Sequence, residues 1–299
     1  VLGHGTFNDP AASVNSWADV EIGNGATLNL NSNNGTGFLL RQGAKMTVDT
    51  GGTLALNDSN GNPIVAAVST NSYIENSGTV SWTYFNGAAN TMVDVALLNH
   101  GTVTIDSVDA AFGLEFVEPS PTTDNYAVKM DGGSLTLKRK AQMTVDYGYE
   151  QTGGNFRTDN TNCALYLNGS NRVAEFDGGT LMIGDNTHTQ YLYIEGSTGA
   201  TTDTVNLKGV HLYMKVRGDT TNDCDELYCQ NGTVNIDPSS SWLFVTNTLG
   251  GAVQAGKVWD IIFGGSITGD FASKDFNDMA PGITSSRVVQ NGTLYELGS

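Results

Sequence analysis

Four acids crowd the segment DTTNDCDE: Asp219, Asp223, Asp225 and Glu226. Carboxylates that dense, in a chain of net charge −17, either repel one another in solvent or hold a hard cation through oxygen ligands. Ca2+ is therefore the metal these residues suggest, with solvated loop acids as the plainer alternative. Five tyrosines form a second group: Tyr166, Tyr191, Tyr193, Tyr213 and Tyr228. Each lies on the outward phase of an alternating segment, so strands stacked in register would raise them into a ladder on one exposed face. Aromatic rings suit the C–H face of a sugar, and a phenol adds a hydrogen bond. Mutual stacking that stabilises a sheet, or burial beneath a loop, is the competing use.

Catalytic chemistry has fewer places to sit. The one basic cluster is Lys138, Arg139 and Lys140, with Asp146 and Glu150 downstream. A polysaccharide lyase would set a base beside Ca2+-holding carboxylates, and a hydrolase would pair two carboxylates about 5 to 9.5 Å apart. Neighbouring residues on a strand point to opposite faces, so these three bases cannot converge, and a charge-balancing strand end is expected. His4, His100, His188 and His211 have no i, i+2 or i, i+4 pair among them, which gives no zinc spacing. No nucleophile-elbow, phosphate-loop or dinucleotide fingerprint occurs. The three cysteines cannot all pair internally. Cys163 is in phase with Leu165 and Leu167, and Cys229 with Leu227, so free, buried thiols are expected; a Cys224–Cys229 bridge would need the intervening segment to bend. Non-catalytic work is the favoured reading with enzymatic activity left open, and Ca2+ is the one cofactor the residues suggest.

The elements that would position these groups are strands. Of the 299 residues 39% are apolar and only 15% charged, with 37 glycines and 6 prolines, so turns fall to Gly and Asn. With 14 basic against 31 acidic residues, neither a nucleic-acid backbone nor an anionic lipid surface is an expected partner. No run of 18 apolar residues appears, so no membrane insertion is expected, and no basic start leading into an apolar stretch follows Val1. A short phrase recurs, a glycine and then an alternating apolar pair: GATLNL from Gly25, GAKMTV from Gly43, GTLAL from Gly52, GTVSW from Gly78, GTVTI from Gly101, GSLTL from Gly133, GTLMI from Gly179, GTVNI from Gly232 and GTLYEL from Gly292. In VHLYMKV, Val210, Leu212, Met214 and Val216 share one face, and His211, Tyr213 and Lys215 the other. Period two marks half-buried strands, and no stretch shows helical periodicity.

Short strands cannot bury an apolar face alone, and repeats of about 20 to 30 residues stack to do so. The reading is an all-β chain, a right-handed parallel β-helix (solenoid) with a C-terminal capping region; a β-sandwich or jelly roll is the alternative. At roughly 4.8 Å per turn the coil would make a rod roughly 50 to 60 Å long. Residues 1–222 are read as turns with loop insertions near 83–99 and 108–130, and 223–299 as final turns and cap of the same continuous domain. An ice-binding face would need Thr-x-Thr on every turn, and the doublet Thr102–Thr104 does not recur.

From about Asp223 the chain runs CDELYCQNGTVNIDPSSSWLFV, then AGKVWDIIFGGSITGDF and RVVQNGTLYEL. Asp225 to Leu227, Gly232 to Ile236, Gly256 to Phe263, Gly269 to Phe271 and Asn291 to Tyr295 follow one another as they do at the end of β-helical stalks. This resembles autotransporter-like, repeat-rich secreted bacterial proteins, and QTGGNF and FDGGTLMIG resemble the same family's repeat phrases. The resemblance implies the C-terminal β-helical part of a secreted or cell-surface protein: a structural or adhesive rod whose partner is a glycan or another cell-surface ligand. The alternative is a polysaccharide-active enzyme, lyase or glycoside hydrolase, with a groove along the helix.

Overall fold

The computed structural model describes residues 5–7, 14–16, 18–32, 38–40, 43–58, 63–67, 72–84, 91–107, 113–116, 126–159, 162–169, 171–185, 189–196, 203–220, 223–247, 251–276, 279, 283–289 and 293–298. Every regular element among them is a strand. The chain separates into two compact units, Val1–Gly154 and Asn155–Ser299, so the composition change near 223 falls inside the second unit.

In the first unit strands come in threes, and each pairs in parallel with the strand three places later. One ladder runs Gly5–Phe7, Thr27–Ser32, Thr53–Asp58, Thr79–Tyr84, Thr102–Ser107 and Ser134–Arg139. Its register puts Leu28, Leu54, Val80, Val103 and Leu135 in one buried column and Leu30, Leu56, Trp82, Ile105 and Leu137 in the next. Alternation along the strand and repetition across strands thus meet: period two chooses the face, and parallel in-register pairing turns each apolar position into a column. Glycine opens these strands because the corners lie against one another. A Cβ on Gly133, whose φ is +63°, would stand 1.9 Å from the Gly101 carbonyl oxygen.

The other two strands of each triplet belong to the second sheet. Val20–Ile22, Met46–Val48, Tyr73–Asn76, Ala96–Asn99, Val128–Met130 and Gly148–Gln151 stack in that order. One column there changes character, from Ile22 and Val48 to Asn76 and Asn99, then Met130 and Gln151. Asn76 Nδ2 donates to Asn99 Oδ1 at 2.7 Å, and Asn76 Oδ1 accepts from Gly78 N at 3.1 Å. Buried amides pass hydrogen bonds between neighbouring turns and satisfy the corner backbone that apolar residues would leave unpaired. The stretch 83–99, expected as a loop insertion, contains the strands Thr91–Asp94 and Ala96–Asn99; residues 85–90 lie outside the described residues. Within 108–130 the strands Gly113–Phe116 and Val128–Met130 are described, and 108–112 and 117–125 are not.

The second unit repeats the scheme. Asn155–Asp159, Thr180–Met182, His211–Lys215, Trp242–Thr246 and Ser273–Asp275 form one parallel ladder. Its column Phe156, Leu181, Leu212, Leu243 ends at Lys274, whose Nζ donates to Asp270 Oδ2 at 2.7 Å and Ser285 Oγ at 2.9 Å. In the other sheet, separate strands at Tyr191–Gly196 and Thr204–Leu207 meet a single long strand, Glu226–Ile236, followed by the equally continuous Val258–Gly269. There the direction changes: Thr293–Gly298 pairs antiparallel with Val258–Gly269, and Thr284–Val289 antiparallel with it in turn. Among the described residues all other strand–strand pairings are parallel, apart from the isolated antiparallel bridge Val216–Cys224, which is not the pattern of an antiparallel jelly roll, while the late hairpin covers an edge that would otherwise present unpaired backbone.

Candidate functional site

The five tyrosines do not form one ladder. Tyr213 belongs to the sheet of His211–Lys215, whereas Tyr166, Tyr191, Tyr193 and Tyr228 lie in the other sheet. Tyr166 is also out of column, because its register partner is Glu195. What remains is a shorter row, Tyr193, Tyr228 and Phe263. Tyr193 meets Tyr228 edge-on at 5.2 Å, Tyr228 stacks on Phe263 at 4.9 Å, and Tyr191 leans on Tyr193 at 6.0 Å.

Beside this row lie acids. Tyr191 and Glu226 are register partners, as are Asp260 and Glu296. Burial, and then the charge of Asp260, pushes the Glu226 carboxyl up to about 7. Burial raises Asp260, and burial together with Asp260 raises Glu296. Such crowding keeps a proton on one carboxyl near neutral pH.

The second aromatic group contains residues that sequence reasoning missed. His211 stacks on Trp242 with centroids 5.0 Å apart and planes 18° from parallel, and Tyr213 stacks on Phe244 at 4.6 Å and 6°. The two pairs adjoin, with Trp242 and Phe244 at 6.0 Å. The signal was available: in SWLFV, Trp242 and Phe244 alternate with buried Leu243 and Val245 as His211 and Tyr213 do in VHLYMKV. Rings stacked along a row spend their faces on each other, so the exposed surface of these pairs is mostly ring edge. Trp242 is the exception, 43% exposed and the single exposed large apolar side chain among the described residues.

The four acids expected as calcium ligands also separate. Asp225 is fully buried, its Oδ2 2.6 Å from Lys215 Nζ and 2.8 Å from Lys215 N, its Oδ1 3.1 Å from Gln190 N. Lys215, expected on the outward face, is buried as well and donates to the Ile183 carbonyl at 2.6 Å. Burial lifts the Asp225 carboxyl to about 7, with Lys215 pulling the other way. Gly184, at φ +76°, makes room: a Cβ there would stand 2.7 Å from Asp225 Oδ1. Asp223 accepts from Thr189 Oγ1 at 2.7 Å and lies 3.5 Å from Arg217 Nε, while Asp219 accepts from Thr220 Oγ1 at 3.1 Å. The loop backbone is tied to the core by Trp259 Nε1, 3.0 Å from both the Arg217 and Thr220 carbonyls. Among the described residues no three His, Cys, Asp or Glu side chains are grouped to hold a metal ion.

Other candidate residues have structural partners. Arg139, at the strand end, directs Nε to Asp106 Oδ1 at 2.6 Å. Cys163, Cys224 and Cys229 are buried free thiols, and burial pushes Cys224 well up, out of the range of a reactive thiolate. His100 Nδ1 is paired with Asp131 Oδ1, and His4 and His188 lie outside the described residues.

No protein-family model matches the chain, and no curated protein matches it.

Proposed function

We propose that the chain is a right-handed parallel β-helix with a C-terminal cap, part of a secreted or cell-surface rod. Its work is structural and adhesive rather than catalytic, with glycans recognised on outward aromatic rows. The observation that supports this most is the combination of buried, largely apolar columns inside the ladders with aromatic pairs outside them on Trp242–Thr246 and its neighbour. A fold that repeats one short unit offers long lateral surfaces, and what those surfaces carry is independent of what fills the core. The resemblance to autotransporter-like stalks agrees with that reading.

One observation favours a second reading, a polysaccharide-active enzyme: Glu226, whose carboxyl burial and then Asp260 push up to about 7, lies on the face that also carries Tyr193 and Tyr228. A carboxyl held at such a value could serve as a general acid to a glycosidic oxygen. A glycan-array screen, run with and without Ca2+ and followed by mass spectrometry of recovered oligosaccharides, separates the two. Retention of intact glycans is expected. Shortened or unsaturated products that disappear in Glu226→Gln would overturn the non-catalytic reading.

A further inference from the structure

Resting on the glycan-recognition reading, we propose that a neutral pyranose ring stacks on the exposed indole of Trp242, on the side away from His211, making this residue the anchor of a single-sugar subsite beside Ser273. Ring orientation leads to this assignment. The His211 and Trp242 residues are register partners and their rings stack, with planes 18° from parallel and centroids 5.0 Å apart. Imidazole thus lies against one side of the indole, and the next residue of the row beyond Trp242 is Ser273. Ser273 is exposed and too small to cover an indole. The neighbouring Phe244 has Tyr213 on one face and Asp275 as its next row partner, and Tyr228 is occupied by Tyr193 and Phe263. Trp242 thus combines high exposure with His211 stacked on it and only the small Ser273 next in the row.

The indole is also held in place before any ligand arrives. His211 lies behind it and Phe244 beside it at 6.0 Å, so little side-chain freedom is lost on binding. A flat apolar plate one ring system wide, bordered by the Ser273 hydroxyl, matches a pyranose, which presents C–H groups on a face and hydroxyls around the rim. Charge narrows the class further. The chain carries −17, so uronic and sialic acids meet a repelling field while neutral hexoses do not. One stacked sugar gives weak affinity, so recognition of longer neutral glycans would arise through several rods acting together.

The test titrates the whole chain with cellohexaose and with a β-1,4-galacto-oligosaccharide as neutral probes, and with hexagalacturonate and sialyllactose as anionic ones. Binding is read by saturation-transfer NMR and by tryptophan fluorescence. Neutral probes should bind and anionic ones should not; Trp242→Ala should weaken binding by about tenfold or more, Trp242→Phe should keep most of it, and Thr79→Ala, in the non-aromatic outward column, should leave it unchanged. Thermal melts of each variant confirm that the fold persists. Neutral-glycan binding that survives Trp242→Ala overturns the subsite alone, as does equal binding of the anionic probes. Failure of every glycan here and on the array removes the glycan-recognition reading itself.

Discussion

The corresponding ladders of the two units share their interior and differ outside. In Val1–Gly154, the outward column next to Leu28, Leu54, Val80, Val103 and Leu135 is Thr27, Thr53, Thr79, Thr102 and Ser134. In Asn155–Ser299, the matching outward column next to Leu181, Leu212 and Leu243 is Thr180, His211, Trp242 and Ser273. Both outward sets sit on parallel strands with buried aliphatic columns beneath them. The comparison teaches that inward positions specify the ladder, whereas outward positions are free to be β-branched filler in one unit and an aromatic platform in the other. It also agrees with one expectation. A threonine does recur from turn to turn, although the next outward column, Asn29, Ala55, Ser81, Thr104 and Thr136, is mixed, so no regular Thr-x-Thr array results.

That division ranks the effects of substitution. Asp225→Ala should be the most damaging, by about 3 to 5 kcal/mol, because it leaves the buried Lys215 ammonium without its carboxylate, 2.6 Å away. Leu54→Ala in one unit and Leu212→Ala in the other should each cost about 2 to 5 kcal/mol, since both side chains are fully buried in equivalent columns. Chemical denaturation measures all three, and a cost confined to one unit's column would break the claimed equivalence. Asn99→Ala should cost about 1 to 3 kcal/mol by leaving Asn76 Nδ2 and the Gly101 carbonyl short of partners.

A pH series sharpens the contrast. Glu226 titrates at about 7 in the folded chain against 4.5 when unperturbed, so the folded state binds a proton that the unfolded state releases. Stability from this group is complete below about pH 4.5 and is lost as pH rises through about 7. Glu226→Gln should therefore flatten that part of the profile and raise the melting temperature at pH 8. A profile unchanged by the substitution would show that Glu226 is better solvated than its neighbours suggest. Smallest of all, Thr79→Ala should shift stability by no more than about 0.5 kcal/mol, because its side chain belongs to the outward column.

The parts of this architecture that depend on local pattern were readable from residues alone. The alternation of Thr-Leu-x-Leu and the glycine before it predict strands, their inward face and their close corners. The threefold repeat is not readable that way. The glycine phrase marks one ladder most regularly, but it also precedes MTV at Met46, as GAKMTV, while other strands of the second sheet, such as ALLN at Ala96, lack it, so the phrase does not count the strands of a turn. For the same reason the tyrosines could be given an outward phase but not a sheet, and Tyr213 was grouped with rings it does not join. Lys215 and Asp225 were read as surface groups because burial of a charge is rare, and only the pairing of Val216 with Cys224 brings the two side chains together in the interior.

The most direct test of the division between interior and surface is to give the second unit the outward face of the first. His211, Tyr213, Trp242 and Phe244 would all be replaced by threonine, and the melting temperature and glycan-array retention measured beside the unchanged chain. The account predicts a cooperative melt within a few degrees of the original and loss of neutral-glycan retention. Retention at the original level would contradict it, since recognition would then lie elsewhere; collapse of the fold would contradict it as well, by showing that the aromatic pairs hold the ladder together rather than decorate it.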